Sequence, residues 1–460
     1  MKKKLKQWFC TACAAVLVIV TGTVPVQAAN LNPGFIPQSK ALELVNLDNG
    51  DAVYSKNADQ KVPQASTTKV MTFIVASELI KDPKNTIATI SGDVQAQLPD
   101  RSFVTVQLAV GERISALNLM YCMLIPSGND AAIALAESAA GGNMTQFVQR
   151  MNQKAKELGC TGTNYTNVFG KYDKGHYTTA KDLEKIYRYA YTLPYFKEIT
   201  SSASYTVPAT NYTAARKLKA SNKLMDKTSS YYYQPCTGGK TGTSDESGYC
   251  LASTASKDGA NYLCIALGAP SVKNGTAVTT NGAFEDSRQL YSWAFDSLKK
   301  KDILSKSKAV ANVSVQQAKD KNQQLAVVPA SDYSTMLPAD GSTTTKVSLP
   351  KSIAAPVKKG DKVGTVTVLY NNETLTTVDL VASADVTQYV AFYKQQWFKV
   401  AVIAVGAVVV VGLIILLIRL LRSRHHRGGN YGGGSRYRGK RSASHSSGRR
   451  RSKSSYHNYH

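Results

Sequence analysis

Histidine is scarce in this 460-residue chain wherever a folded domain is expected. Of the six histidines, five lie beyond residue 424, and His176 is the only one in the preceding part of the sequence. A zinc site built from several histidines is therefore excluded, and a Ser-His-Asp triad would have to use His176. We expect any catalysis in the body of the chain to proceed without imidazole.

Acidic residues are also few, with 31 Asp and Glu against 56 Lys and Arg, which gives a net charge of +25. The excess lies at the two ends of the chain. Residues 419–460 contain twelve Lys and Arg and no acidic residue, and residues 1–6 contain four Lys. Residues 7–418 carry only +9, so the body of the protein is not predicted to bind nucleic acid.

Cysteine provides no framework of disulfides or metal ligands. Seven are present, and five remain after removal of the N-terminal segment described next, an odd number at irregular spacing. The sequence therefore predicts no disulfide, no metal site and no cofactor. Its length allows two or three domains with a sizeable core.

Two apolar segments predict export and membrane anchoring. Residues 1–29 combine four lysines, an apolar run of 13 residues and a small-residue cleavage site, as in a secretory signal peptide. Residues 400–418 are 19 uncharged residues followed by arginines, which is typical of a membrane span with its basic end in the cytoplasm. We predict a transmembrane helix over residues 398–421, an extracytoplasmic body, and a disordered basic cytoplasmic tail over residues 422–460.

The body predicts an α+β catalytic domain followed by a small all-β domain. Alternation on both sides of residue 49 predicts a hairpin. Helical periodicity predicts helices over residues 66–79, 115–124, 130–140, 145–158, 180–190 and 284–298. Three successive strands are predicted over residues 239–244, 249–255 and 262–267. Strands at both ends of a helical middle favour an antiparallel sheet flanked by helices. Later alternating segments predict a β-sandwich-like domain, so the boundaries are 30–302 and 303–392.

Three short motifs contain the candidate chemistry: Ser66-Thr67-Thr68-Lys69, Ser127-Gly128-Asn129 and Lys240-Thr241-Gly242. Residues i and i+3 share one helix face, so the Lys69 amine can reach the Ser66 hydroxyl. The helix start also offers unpaired N–H groups to an oxyanion.

A lysine base needs a lowered pKa, which burial and a second cation such as Lys240 would provide. The Ser127 hydroxyl can relay a proton to a leaving amine, and Lys240 with Thr241 can bind a carboxylate. Glycine at position 242 would let a substrate backbone approach closely.

Each motif alone is weak evidence. Ser-x-x-Lys also occurs at Ser297, Ser305 and Ser348, and a serine before a helix with a surface lysine one turn later is a common arrangement. Ser-Gly-Asn is an ordinary turn and helix cap. The segment before Lys240 is not a phosphate-binding loop, because Gln234 stands where that motif needs glycine. The order of all three motifs and the absence of a suitable histidine are what make the set specific.

Together the motifs resemble the serine and lysine arrangement of the low-molecular-mass penicillin-binding proteins that are serine-type D-alanyl-D-alanine carboxypeptidases. The resemblance covers roughly residues 35–392 and includes a C-terminal β-domain. Further segments are similar to the family at residues 63–69, 176–180, 221–225, 238–250 and 355–360.

The resemblance implies a role for each motif residue. Ser66 would be the acylated nucleophile, Lys69 its base and Ser127 a proton shuttle. Asn129 would bind the substrate peptide amide. The terminal carboxylate of the substrate would be bound by Lys240, Thr241 and Thr243, and the N–H groups of Ser66 and Thr243 would form the oxyanion hole.

The implied substrate is a peptidoglycan stem peptide ending in D-Ala-D-Ala, with β-lactams as covalent inhibitors. Two departures leave loop contacts and a second carboxylate-binding cation open: Val168-Phe169-Gly170-Lys171 replaces Pro-His-Gly-Leu of many relatives, and Ala269-Pro270 replaces an arginine of some. We interpret His176 as structural.

A DD-endopeptidase, a transpeptidase and a β-lactamase share the same motifs and remain alternatives. A non-enzymatic membrane adaptor acting through the basic tail is the alternative from another class. The Arg/Gly-rich tail resembles segments that bind RNA or anionic lipid, and we favour anionic lipid.

Overall fold

The computed structural model describes residues 31–98, 103–273, 276–320, 322–339 and 341–425. The predicted signal peptide and the tail beyond residue 425 lie outside those residues. The described residues up to Gln388 belong to one compact unit, and those from Tyr389 onward belong to a second.

The first unit begins with the predicted α+β part. Its strands are β1 (Ala41–Asn46), β2 (Ala52–Lys56), β3 (Ile87–Thr89), β4 (Arg113–Ser115), β5 (Ser204–Val207), β6 (Arg216–Lys219), β7 (Cys236–Ser244), β8 (Gly248–Lys257), β9 (Ala260–Ala269), β10 (Val272–Lys273) and β11 (Thr276–Ala277). Its helices are α1 (Lys69–Leu79), α2 (Asp93–Ala96), α3 (Ala116–Leu124), α4 (Asn129–Ala140), α5 (Met144–Glu157), α6 (Ala180–Thr192), α7 (Phe196–Thr200) and α8 (Gly282–Ser297).

The central sheet has the strand order β2-β1-β9-β8-β7, with every neighbouring pair antiparallel. Both of its faces are covered, as alternate residues of β9 demonstrate. Leu263, Ile265 and Leu267 belong to the core that contains α1 and α3 to α6, whereas Cys264 and Ala266 belong to the core that contains α8. Each fully buried leucine or isoleucine contributes about 1.5–3 kcal/mol to this packing.

Sequence patterns placed most of these elements, with differences at the motifs. The predicted helix over residues 66–79 is a 3₁₀ turn, Ala65–Thr68, followed by α1. Asn129, the last residue of the second motif, is the first residue of α4, with Gly128 at the N-cap. The hairpins β3–β4 and β5–β6 were not predicted, because strands of three or four residues carry too little alternation to stand out.

The all-β part contains β12 (Leu298–Leu304), β13 (Ala311–Gln316), β14 (Gln324–Pro329), β15 (Tyr333–Pro338), β16 (Thr343–Ser348), β17 (Ser352–Ala354), β18 (Lys362–Tyr370) and β19 (Glu373–Ala382). Six of them make a sheet in the order β16-β18-β19-β14-β13-β17, and β12 pairs with β15. The sequence did not predict β12, β15 or β17. In β12 a run of three lysines hides the strand, because only its two terminal leucines are buried.

The two parts share an apolar core. The core on the α8 face of the central sheet continues without interruption into the β-domain, where it includes Val327 and Val366. Two polar contacts connect the same parts: Tyr333 donates to Asp51 Oδ2 at 3.0 Å, and Asn49 Nδ2 donates to the Ser334 carbonyl at 2.7 Å.

The second unit contains the helix α9 (Gln396–His425). Its segment Gln396–Arg422 has 27 residues and contains an 18-residue stretch with a mean hydropathy of 3.3. It is the one helix among the described residues that is long and apolar enough to cross a membrane. The segment includes the predicted span at residues 398–421.

Candidate active site

The nucleophile candidate Ser66 lies in the 3₁₀ turn that leads directly into α1. The side chain of Lys69 is fully buried, and its Nζ lies 2.8 Å from Ser66 Oγ. The same nitrogen donates to Asn129 Oδ1 at 2.6 Å and to the Phe169 carbonyl oxygen at 2.9 Å. Since these two oxygens can only accept, they fix two N–H bonds of the lysine and leave its third direction facing Ser66.

The environment favours the neutral form of this lysine. Burial, followed by the charge of Lys240, lowers the pKa of Lys69 well below its usual value, while Asp130 acts in the opposite direction. A neutral amine keeps both fixed N–H bonds and presents its lone pair to the Ser66 hydroxyl. This arrangement allows Lys69 to accept the proton of Ser66.

A second pair, Ser127 and Lys240, lies beside the first. Lys240 Nζ donates to Ser127 Oγ at 2.8 Å and to the Thr241 carbonyl at 2.7 Å. Burial lowers the pKa of Lys240 to about 7. Because Ser127 Oγ accepts from the lysine, its own hydroxyl proton is available to another partner. Ser127 adopts a left-handed backbone conformation with φ of +70°.

The start of α4 fastens a loop beside the Ser127 motif. The carboxylate of Asp130, the second residue of α4, accepts the backbone N–H groups of Val106 and Leu108 at 3.0 Å. The N–H of Asn129 donates to the Val104 carbonyl at 2.8 Å. Asp130 lies just outside the Ser127-Gly128-Asn129 motif and was not among the predicted site residues, although an acidic residue in a first helical turn is a recognisable capping signal.

Strand β7 is the edge of the central sheet and passes directly beside the nucleophile turn. A Cβ on Gly242 would lie 2.9 Å from the Gln64 carbonyl oxygen and 3.0 Å from the Ser66 nitrogen. The nucleophile turn therefore occupies the space beside Gly242 that a side chain would fill. The role expected for this glycine was to let a substrate backbone approach.

The two threonines of β7 have different surroundings. Thr241 Oγ1 lies 2.6 Å from Ser221 Oγ, and the Ser221 N–H donates to the Ile125 carbonyl at 3.0 Å, two residues before Ser127. Ser221 thus connects β7 to the loop of the second motif, a role that no sequence signal revealed. Thr243 is exposed, and within the described ranges no contact of its side chain joins it to the other predicted residues.

The segment after Asn167 borders the Lys69 amine. Besides the carbonyl that accepts from Lys69, Phe169 contributes a ring that packs edge to face with Phe103 at 5.9 Å between centroids. The two rings make this border apolar. Within the part of the chain that the structure describes, no three His, Cys, Asp or Glu side chains are grouped as metal ligands, and the five cysteines there are free.

Comparison with known proteins gives two matches to family models. Residues 32–271 match the D-alanyl-D-alanine carboxypeptidase family, and residues 298–388 match the C-terminal domain of penicillin-binding protein 5.

Individual relatives agree with these models. The chain is 27% identical to the D-alanyl-D-alanine carboxypeptidase DacF of Bacillus subtilis over 365 residues, 78% of this chain and 89% of the relative. It is 30% identical to the D-alanyl-D-alanine carboxypeptidase of Streptomyces sp. strain K15 over 241 residues, 50% of this chain and 80% of the relative. Among solved structures, penicillin-binding protein 5 from Haemophilus influenzae is 26% identical with a TM-score of 0.61, covering 77% of this chain and 99% of the other.

Proposed function

Because the chain belongs to the serine-type D-alanyl-D-alanine carboxypeptidase family, we propose that it removes the terminal D-alanine from peptidoglycan stem pentapeptides through an acyl-enzyme on Ser66. β-Lactams would acylate the same hydroxyl. The C-terminal helix α9 would anchor the enzyme in the membrane, with the catalytic part outside the cell and the basic tail in the cytoplasm.

Acylation begins with the neutral Lys69 amine, which takes the proton of the Ser66 hydroxyl as Ser66 Oγ attacks the carbonyl carbon of the penultimate D-alanine. Such general-base assistance contributes about 10²–10⁴-fold to a rate. The oxyanion that forms would be stabilised by the N–H groups of Ser66 and Thr243. Removing one such donor costs about 10²–10³-fold.

Expulsion of D-alanine needs a proton on the leaving nitrogen. The Ser127 hydroxyl supplies this proton as the C–N bond breaks, and it recovers one from the Lys69 ammonium. Lys240 keeps Ser127 Oγ in position and, with Thr241 and Thr243, binds the carboxylate of the terminal D-alanine. Asn129 binds the substrate amide. Water then hydrolyses the Ser66 ester, which releases the tetrapeptide and restores the hydroxyl.

The single observation that carries this proposal is the contact set of Lys69 Nζ. A buried amine with two fixed N–H bonds and its remaining direction facing a serine hydroxyl 2.8 Å away is arranged as a base. Among the described residues His176 is the one histidine before residue 425, and it does not contact Ser66 Oγ or Lys69 Nζ.

The test uses the full chain in detergent micelles and two readouts: D-alanine released from a stem pentapeptide, and covalent labelling by a fluorescent penicillin. Ser66→Ala should abolish both. Ser297→Ala is the matched control, because Ser297 begins another Ser-x-x-Lys sequence at the exposed end of α8. This control should leave both readouts unchanged.

Other outcomes select the alternatives. Labelling without release would indicate an endopeptidase or transpeptidase acting on cross-linked material, and rapid turnover of penicillin would indicate a β-lactamase. Folded protein that neither labels nor releases D-alanine would overturn the enzymatic proposal and favour the adaptor. Truncation after Arg422 separates the adaptor from the enzyme, since the enzyme should keep its turnover without the tail.

The proposed topology has its own test. In intact cells, added protease should digest the catalytic part and spare a tag placed after the last residue. The basic tail should bind vesicles containing anionic lipid and not neutral ones, because each Lys or Arg near such a surface contributes about 1 kcal/mol. A tag that is digested in intact cells would reverse the proposed orientation.

A further inference from the structure

The single histidine of the catalytic part contacts the nucleophile turn through one hydroxyl. The His176 ring is buried, with Nε2 at 2.7 Å from Thr68 Oγ1. Its Nδ1 accepts the backbone N–H of Thr166 at 3.1 Å, and this donor requires a lone pair on Nδ1. The neutral ring therefore has its proton on Nε2 and donates it to Thr68.

The next bond extends this chain to the backbone. The Thr68 hydroxyl, which accepts from His176, donates its own proton to the Ala65 carbonyl at 2.7 Å. The imidazole N–H and the threonine O–H donate in series and polarise each other, which strengthens the hydrogen bond to the Ala65 carbonyl. The carbonyl oxygen of Ala65 is thus held from inside the protein.

Ala65 needs such a contact because its backbone is strained. Its φ is +45°, a left-handed conformation that costs an L-residue with a side chain of order 1–3 kcal/mol. Gly170 approaches the same peptide so closely that a Cβ there would lie 1.9 Å from the Ala65 carbonyl oxygen. Asn167 fixes this approach, since its Oδ1 accepts the Gly170 N–H at 2.7 Å.

The orientation of this carbonyl determines the orientation of the Ser66 N–H. In a trans peptide the C=O and the N–H of one unit point in opposite directions, so a carbonyl fixed from the inside directs the N–H outward. We infer that His176 is a positioning residue that acts through Thr68 to orient the Ser66 N–H as an oxyanion donor. This inference rests on the proposed acyl-enzyme at Ser66.

The role requires no proton transfer. Burial lowers the pKa of His176 to about 4, with Asp173 acting weakly in the opposite direction, so the ring stays neutral and keeps its donor on Nε2 near neutral pH. The ring touches no reacting atom. Its proposed effect is on the strength of the hydrogen bond to the acyl carbonyl.

The test measures that bond directly. The full chain in detergent micelles is acylated with penicillin labelled with ¹³C at the reacting carbonyl, and the ester C=O stretch is recorded by infrared difference spectroscopy. Thr68→Val should move the stretch to higher wavenumber and lower the acylation rate about 10- to 100-fold. The loss should not exceed that of removing an oxyanion-hole donor altogether, because the Ser66 N–H is misdirected and not absent. Thr68→Ser retains the hydroxyl and should restore both values.

Matched variants separate orientation from general loosening. Thr72→Val removes a buried hydroxyl in α1, four residues after Thr68, which donates to the Val168 carbonyl at 2.5 Å. This variant should leave the stretch unchanged. His176→Phe should shift the stretch in the same direction by a smaller amount, because the Thr68 hydroxyl still donates to the Ala65 carbonyl. It replaces Thr68→Val if that variant does not fold by thermal melting.

Three outcomes decide the matter. An adduct whose stretch is the same in Thr68→Val or His176→Phe as in the unchanged protein would overturn the inference and leave the proposed function intact. An equal shift in Thr72→Val would also overturn it. Absence of any adduct on the unchanged protein would instead refute the proposed acyl-enzyme, and with it the premise of the inference.

Discussion

The α+β part and the β-domain share an apolar core, yet they bury very different polar groups. Among the described residues, the α+β part buries eight ionisable side chains: Glu43, Lys69, Glu112, Asp130, Asp182, Glu184, Lys240 and Asp286. From residue 298 onward, Thr335 is the buried polar residue within the described ranges. Burying a charge opposes folding unless partners compensate. The β-domain is therefore stabilised mainly by apolar burial, whereas the α+β part also buries ionisable groups whose burial opposes folding.

The largest effect is expected from replacing Gly170 of the α+β part with alanine, and the same replacement of Gly360 in the β-domain is its counterpart. Gly170 in the α+β part and Gly360 in the β-domain have nearly the same φ, +94° and +93°. A Cβ on Gly170 would lie 1.9 Å from the Ala65 carbonyl oxygen, whereas a Cβ on Gly360 would meet nothing within 4 Å. Gly170→Ala should therefore displace the nucleophile turn and lower penicillin acylation by at least about 100-fold.

Gly360→Ala is the control for backbone strain alone. It should cost about 1 kcal/mol of unfolding free energy, because only the left-handed conformation is penalised, and it should leave acylation unchanged. Thermal melting and the acylation rate of both variants make the comparison. Equal acylation rates in the two alanine variants would show that the contact with Ala65 is not needed for catalysis.

The next largest effect is a dependence of kcat/KM on pH, caused by the buried Lys240 of β7. With a pKa of about 7, Lys240 is cationic below that pH and neutral above it. Its attraction for the substrate carboxylate should disappear as pH rises from 6 to 8, and a hydrogen bond to a charged group is worth about 1.5–3 kcal/mol. We expect kcat/KM for the pentapeptide to fall up to about 10-fold over this range, the change in the protonated fraction of Lys240.

A substrate without the carboxylate tests the cause. The terminal methyl ester of the same peptide should lose the alkaline fall in kcat/KM, because it offers no charge to Lys240. If the ester and the free acid decline in parallel, the titration acts on another step, such as the proton relay of Ser127.

Much of this arrangement was predictable from the sequence. The spacing of Ser66 and Lys69 within an apolar helix predicted their contact, and the lowered pKa of Lys69 was expected from burial and Lys240. The strands β7, β8 and β9 were predicted from alternation and turn residues, although their order in the sheet was not. These predictions succeeded because they depend on local periodicity and on the few residue types able to do the chemistry.

Other features had no sequence signal. The Phe169 carbonyl that fixes Lys69 is a backbone atom, so residue identity at that position does not reveal it. The contacts of Ser221 and of His176 join segments far apart in the chain, and one sequence contains no information on which distant segments pack together. Asp130 was visible as a capping residue, but its partners Val106 and Leu108 were not.

A smaller effect is expected at Ser221, which contacts Thr241 Oγ1 at 2.6 Å. If the Ser221 hydroxyl directs the Thr241 hydroxyl toward the carboxylate, Ser221→Ala should raise KM for the pentapeptide about 3- to 10-fold and leave kcat nearly constant, the effect of one hydrogen bond. Ser221→Thr retains the hydroxyl and should restore KM. A lower kcat with unchanged KM would place the effect on Ser127 instead.

The smallest effect is expected on thermal stability, from the buried carboxyl group of Glu43 outside the site. Glu43 on β1 has an Oε2 without a hydrogen-bond partner among the described residues, and burial, followed by Glu184, raises its pKa to about 8. Between pH 4.5 and 8 the folded state keeps a proton that the unfolded state has released, so stability falls as pH rises and becomes constant above 8.

Glu43→Gln removes this titration while it preserves the shape of the side chain. At pH 8 the Tm of the variant should be a few degrees above that of the unchanged protein. At pH 4 the two Tm values should be equal, and the penicillin acylation rate should be the same in both proteins. Glu373→Gln on an exposed position of β19 is the control and should not alter the dependence of Tm on pH. Loss of acylation in Glu43→Gln would mean that this carboxyl group also supports the site. Unchanged acylation with the higher Tm would show that the α+β part buries an ionisable group that catalysis does not use.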